Sequence, residues 1–402
     1  PEEAAALDTL GRALLAQGRA AEAEAPLRRA AELAPSPAAL NVLAAALHDQ
    51  GRLAAAEAVL NQALAQTPDQ PELQHHKALL LLETGRFAQA WPLYDSRFGL
   101  QQAREQGQAP PREPLWRGEA LPGATLLLKA EQGLGDTLQF ARYAPLAARR
   151  VGRVVVEAPP ALHRLLARVA GVAEVVAPGV AVPHQAVCPL LSLPRAFGTT
   201  LATIPADIPY LTPPPEAVAA WDTRLAGHAR PRIALVWAGN PTHPNDARRS
   251  LPFAAFAPLW QAPMAGRGSW FSLQLPPRAA DLAAAPAGLV TDLSPDLADM
   301  AETAAALMQM DVLITPDTAL AHLAGALGVP AWVLLPHAAD WRWLRERADS
   351  PWYPGLRLFR QRRAGDWAGV LADVAARLSR FGPVRRGIIH GATGSVGSGA
   401  SV

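Results

Sequence analysis

The sequence predicts an α-helical repeat array followed by two α/β domains that face each other across a cleft. Three observations carry this. Glycine-led tripeptides recur at Gly18, Gly51 and Gly85, spaced 33 and 34 residues apart, and mark a repeat in the first hundred residues. From residue 124 onward, short apolar runs alternate with helical patterns. A proline-rich stretch at 203–217 splits that alternation into two series.

The length of 402 residues is more than one core accommodates. Predicted boundaries are repeats at 1–104, a polar linker at 105–123, a first α/β domain at 124–215, a second at 230–383, and a Gly/Ser-rich disordered tail at 384–402. Half of the residues are hydrophobic, so the chain is globular. Formal charge is only +2, with acids and bases interspersed, which leaves no electrostatic footprint for nucleic acid. The single cysteine, Cys188, rules out an intrachain disulfide framework and any multi-cysteine metal site, and reads as a small buried hydrophobe. No apolar run reaches membrane-spanning length, and the acidic start does not read as a signal peptide, so the expected location is cytoplasmic.

In the repeats, Pro35 and Pro68 each fall 17 residues after a glycine, and Ala30 and Ala63 follow their glycines by twelve. The spacing resembles that of the tetratricopeptide repeat, a helix–turn–helix unit of about 34 residues. Leu10, Gly11, Gly18, Ala23, Leu27, Ala30 and Pro35 fit its pattern in the first unit. Glycine ends the first helix of a unit, a small residue lets the second approach, and proline stops it. The third unit puts Arg97 where a small residue is expected, as a capping unit would. Such an array either caps the next domain or offers a concave surface to a protein or peptide.

In the first α/β series, strands are expected at 124–130, 153–158 and 173–179; in the second, at 232–239, 269–275, 288–293, 311–316, 330–336 and 356–361, with a last helix at 366–381. Parallel sheets of this kind bind ligands beyond the carboxyl ends of their strands. Four such loops carry chemistry. The first, Gln132-Gly133-Leu134-Gly135-Asp136, is built like a phosphate loop but opens its helix on a carboxylate. A dinucleotide reading, with Glu157 as the ribose acid, conflicts with the missing third glycine and with the charge of Asp136. The residue types fit a general base, and equally an N-cap.

The second loop, Asp317-Thr318 before a small-residue helix, puts Thr318 and His322 on one helix face near free N–H groups, an anion site or a plainly capped helix. The third carries Gly239, Asn240, His243, Arg248 and Arg249 after a strand, with arginines suited to phosphate oxygens or merely solvated. The fourth holds Trp341, Arg342 and Trp343, which stack on a base or sugar or else pack between domains.

Together, EQGLGDTLQF, AGN…RRS and DTALAHLAGALG resemble the motifs of GT-B glycosyltransferases of the lipopolysaccharide heptosyltransferase kind, and the whole chain resembles bacterial tetratricopeptide-repeat proteins carrying such a domain. The resemblance implies two Rossmann-like domains, a nucleotide-sugar co-substrate and no metal or other cofactor. It casts Asp136 as base in an acceptor loop with Gln132, Gly133 and Gly135. The donor side would be Gly239, Asn240, Arg248, Arg249, Asp317, Thr318, His322 and Trp341. The family's phosphate-binding lysine is replaced here by Arg248 and Arg249. The implied acceptor is a protein, of the flagellin type in some relatives, recruited by the repeats. A non-catalytic scaffold and a lipopolysaccharide- or oligosaccharide-directed transferase are the competing expectations.

Overall fold

The computed structural model describes residues 2–101, 113–260 and 268–381. The expected tail at 384–402 and the first part of the expected linker, 105–112, lie outside the described residues.

Six helices form three antiparallel pairs: α1 (Glu2–Ala16) with α2 (Ala20–Leu33), α3 (Pro37–Asp49) with α4 (Leu53–Gln66), and α5 (Pro71–Glu83) with α6 (Phe87–Tyr94). Gly18, Gly51 and Gly85 close the first helix of each pair with φ of 75°, 78° and 76°, a conformation that favours glycine. Ala23, Ala56 and Ala90 are fully buried where the helices of a pair cross. The first two pairs share an apolar core around Leu27, Leu43, Leu47 and Leu60, which Leu73 and Leu80 of α5 also join. The rest of the third pair faces the other way: Phe87, Trp91 and Tyr94 lie in the same core as the α/β domains.

The first α/β domain is a four-stranded parallel sheet in the order β3-β2-β1-β4, with β1 (Leu121–Lys129), β2 (Val151–Glu157), β3 (Val172–Val176) and β4 (Ala186–Pro189). Sequence reasoning missed β4, whose four residues are hard to tell from the apolar run around them; Cys188 pairs with Leu128 there and is buried. Residues 113–120 are a correction to the expected linker. Leu115 bridges to Val187, and buried Trp116 donates its N–H to the Val187 carbonyl at 2.9 Å. An apolar indole outweighs the polar and proline-bearing company it keeps.

The second domain is a six-stranded parallel sheet in the order β10-β9-β8-β5-β6-β7. Its strands are β5 (Arg232–Leu235), β6 (Ser269–Ser272), β7 (Val290–Asp292), β8 (Val312–Pro316), β9 (Ala331–Leu335) and β10 (Leu356–Arg360), each within the stretch expected for it. Three further helices matter below: α7 (Leu134–Phe140) after β1, α8 (Pro215–Leu225) after the crossing, and α9 (Ala319–Leu327) after β8. In the proline-rich crossing, Tyr210 donates its N–H to the Ala326 carbonyl at 3.1 Å and accepts from Arg142 through its hydroxyl, also at 3.1 Å. Trp221 on α8 then donates to Glu302 at 2.9 Å. The two sheets are thus tied so that α7 and α9 meet.

Candidate functional site

The loop after β1 passes through Gln132, which holds a left-handed φ of 59°, and Gly133, the N-cap of α7. Asp136 is not the N-cap but the third residue of α7, and its Oδ2 reaches back to accept the Gly133 N–H at 2.9 Å. Its other oxygen, Oδ1, accepts from Arg342 Nη2 of the second domain at 2.5 Å. Arg342 is buried, donates to Asp340 at 2.9 Å and donates through Nε to Gln139 at 2.7 Å. Burial disfavours its charge, but the Asp340 and Asp136 carboxylates more than reverse that and raise its pKa.

Gly135 is where the domains touch. A Cβ there would lie 2.9 Å from His322 Cδ2 and 3.3 Å from the Ala319 Cα, so only a bare backbone lets α7 sit on α9. On α9, Ala321, Ala324 and Ala326 are fully buried against the sheet. Thr318 is the N-cap residue, but its hydroxyl bonds Thr315 Oγ1 at 2.9 Å and makes no cap bond to the helix. The first turn of α9 therefore keeps N–H groups that its own cap does not use.

His322 is buried, with Nδ1 3.0 Å from the Tyr353 hydroxyl and its ring stacked on Trp343 at 5.3 Å. Burial, then the Arg342, Arg142 and Arg249 charges, push its pKa well below the usual value, so the ring is neutral near pH 7. Asp317 Oδ1 stands 4.0 Å from His322 Nε2. Its carboxyl is held above the ordinary range by burial and by the neighbouring Asp340 charge, against the pull of Arg249.

The loop after β5 separates its residues. Arg249 lies across Gly239, is largely enclosed, and has a buried Nε without a hydrogen-bond partner; the nearest carboxylate, Asp246, is 4.0 Å away. Gly239 donates its N–H to Ser250 at 2.9 Å. Asn240 accepts from both the N–H and the hydroxyl of Thr242 at 3.0 Å, which is a turn contact. Arg248 points away to the repeats, pairing with Asp49 at 3.1 Å and with the Leu15 carbonyl at 3.2 Å.

Trp341 takes the second of its two expected places, packed between domains and not open to a base. It is buried among Phe87, Trp91, Tyr94 and Trp352, with ring centroids 5.8 to 6.2 Å away, and the Arg342 guanidinium covers it at 4.4 Å. Burying a large aromatic against four others is worth more than holding it open for a ligand. The site thus gathers Asp136, Arg249, Asp317, Thr318 and His322 around the junction, and adds Arg342, which the sequence offered only as a stacking or packing residue, and Asp340, which it did not single out. Their signal was position: a polar turn directly after β9, at the carboxyl end of the sheet. Among the described residues no group of three or more His, Cys, Asp or Glu is gathered to hold a metal, and no helix is long and apolar enough to cross a membrane.

Tetratricopeptide-repeat models match residues 9–71 and 47–96, so residues 9–96 are repeats of that kind. Protein FlbA of Caulobacter vibrioides is 30% identical over 363 residues, covering 79% of this chain and 57% of FlbA; the chain thus spans little more than half the length of that relative. A glycosyl transferase family 9 structure from Veillonella parvula superposes with a TM-score of 0.50 at 9% identity, covering 66% of this chain and 99% of that one. The α/β domains therefore have the fold of that glycosyltransferase, with two parallel sheets facing each other. TibC of enterotoxigenic Escherichia coli, an iron-containing dodecameric glycosyltransferase, aligns with 65% of this chain and 77% of its own at 12% identity and a TM-score of 0.43.

Proposed function

We propose that the chain transfers a sugar from a nucleotide-sugar donor to a protein acceptor recruited by its repeats. The observation that carries this is the meeting of Asp136, on the first domain, with the α9 N-terminus, Arg249 and Arg342 on the second. An acid oxygen on one wall and cationic and dipolar groups on the other are what a single inverting displacement needs. Asp136 takes the proton of the acceptor hydroxyl as that oxygen attacks the anomeric carbon. The departing diphosphate is stabilised by Arg249, the α9 N–H groups and the neutral His322 ring as hydrogen-bond donor. That role uses the tautomer in which the Tyr353 hydroxyl, 3.0 Å from Nδ1, donates to it and the imidazole proton sits on Nε2. The scheme asks nothing of a metal.

The ion pair with Arg342 sets a condition. Asp136 acts as base only when a substrate draws Arg342 off or the domains part, since Oδ1 is taken by Arg342 and Oδ2 by the Gly133 N–H. A diphosphate competing for the guanidinium does the former, which orders donor before acceptor. The repeats give the acceptor a place to dock: a groove of about 890 Å³ lies between the second and third repeats and residues 344–349.

Asp136→Asn tests the assignment. The amide oxygen still accepts from Gly133, so the fold is kept; transfer should fall by about 100-fold or more while nucleoside diphosphate binding, followed by calorimetry, persists. Full transfer by the folded variant removes Asp136 as base. Absence of binding by any nucleoside diphosphate to the unaltered chain favours a non-catalytic scaffold. Mass spectrometry of proteins and of lipopolysaccharide from a strain lacking the gene separates a protein acceptor from a glycolipid one.

A further inference from the structure

We infer that the third repeat is a working part of this site, and that Arg97 is a positioning residue that holds the loop carrying Asp136. The inference rests on the reading of Asp136 as base. Arg97 stands twelve residues after Gly85, where the first two repeats have Ala30 and Ala63. The second helix of the repeat stops at Tyr94, and a 3-10 turn, Asp95–Gly99, aims the side chain outward into the first α/β domain. It is 3% exposed there.

Every edge of the guanidinium is used. Nε and Nη2 donate to the two Glu131 oxygens at 2.9 and 2.7 Å, a bidentate pair. Nη2 also reaches Ser192 at 2.8 Å, and Nη1 reaches Asp95 at 3.0 Å. Asp95 in turn accepts from Arg117 and Arg195, both at 2.7 Å. Glu131 takes the Leu191 N–H at 3.2 Å as well.

Glu131 directly precedes Gln132, the left-handed residue of the loop. A non-glycine residue stays in that conformation only where its surroundings over-determine it. The surroundings here are two anchors: Arg97 on Glu131 at one end, and Asp136 on Gly133 at the other. The same repeat reaches Asp136 from its far side. Trp91 and Tyr94 pack on Trp341, and the next residue, Arg342, holds the Asp136 carboxylate. The repeat array is therefore a wall of the transfer site as well as a handle for a partner.

Hydrogen–deuterium exchange on the full chain tests this with two variants. Arg97→Lys keeps the charge and loses the fork. Arg97→Met combined with Glu131→Gln leaves no buried charge orphaned. Both should speed exchange of a peptide spanning 131–136 by about tenfold or more, with α1 to α4 and β8 to α9 unchanged. In transfer assays kcat should fall by about 100-fold with donor KM unaltered, because the displaced group is on the acceptor side. Unchanged exchange in the loop of a folded variant overturns the inference, as does loss of protection spread through the whole first α/β domain. A loosened loop with unaltered kcat upholds the hold on the loop and overturns Asp136 as base instead.

Discussion

Asp136 and Arg342, 206 positions apart, meet at 2.5 Å and join the first α/β domain to the second. The pair is largely enclosed, with side chains 20% and 8% exposed, and Arg342 also serves Asp340 and Gln139. An ion pair in such a place contributes little net stability, yet removing one member leaves the other charge without a partner. Arg342→Ala should therefore cost about 3 kcal/mol in urea unfolding, while Asp136→Asn, which keeps its Gly133 bond, should cost less. Equal losses would show that the carboxylate matters to the junction as much as the arginine does.

The two adjacent arginines of the β5 loop should behave differently. Arg248 bridges to Asp49 on an exposed surface, and such pairs are worth about 0 to 1 kcal/mol. Arg249 is enclosed, with Nε lacking a partner. Calorimetry with nucleoside diphosphates should show Arg249→Ala binding at least about tenfold more weakly, the loss of one charge-assisted contact, and Arg248→Ala binding as before. The reverse order would place the diphosphate on the side of the repeats.

Three enclosed histidines, His322 buried and His75 and His76 half-buried, set the acid limit of the fold. Burial, chiefly, lowers the pKa of His75 to about 4 and of His76 to about 3, and takes His322 well below its usual value. Each binds a proton in the unfolded chain near 6.5 but not in the folded one, so the stability they contribute is complete above that pH. It is lost as pH falls toward 4, by about 1.4 kcal/mol per pH unit for each ring. Asp317 works the other way: its raised carboxyl favours the fold most at low pH and loses that advantage as pH rises through its folded pKa. Urea midpoints measured from pH 7 to pH 4.5 should fall, and His75→Leu should make the fall shallower. An unchanged slope would mean that His75 is not held neutral.

What the sequence showed depended on how far apart the interacting residues lie. Gly18, Gly51 and Gly85 revealed the repeats because a left-handed helix end is a local demand on one residue. Strands β1 and β5 to β10 were legible as apolar runs between turn signals. The helix starts just before Asp136 and at Thr318 were legible for the same reason. Nothing local distinguishes Arg342 from Arg248, or Trp341 from a stacking platform; their partners, Asp136, Asp49 and Trp91, are set by how domains dock. Arg97 was visible as a break in a pattern, but its partner Glu131 belongs to another domain 34 residues on. The pairings that assemble the site are the long-range ones, which leave no periodic trace.

Gly135 makes the last of these pairings testable. A methyl group there would stand 2.9 Å from His322 Cδ2, and the ring has no room to yield, since Trp343 covers one face and Tyr353 holds Nδ1. The α7 helix must then lift off α9, and Asp136 moves with it, away from Arg342. Gly135→Ala should cost about 1 to 3 kcal/mol, typical of overpacking. A double-mutant cycle decides whether the contact with His322 is the cause: combined with His322→Ala, which frees the space, Gly135→Ala should cost much less than alone. If the two losses add, the contact with His322 is not what demands a glycine. The demand would then come from the Ala319 Cα, 3.3 Å away, or from the loop itself.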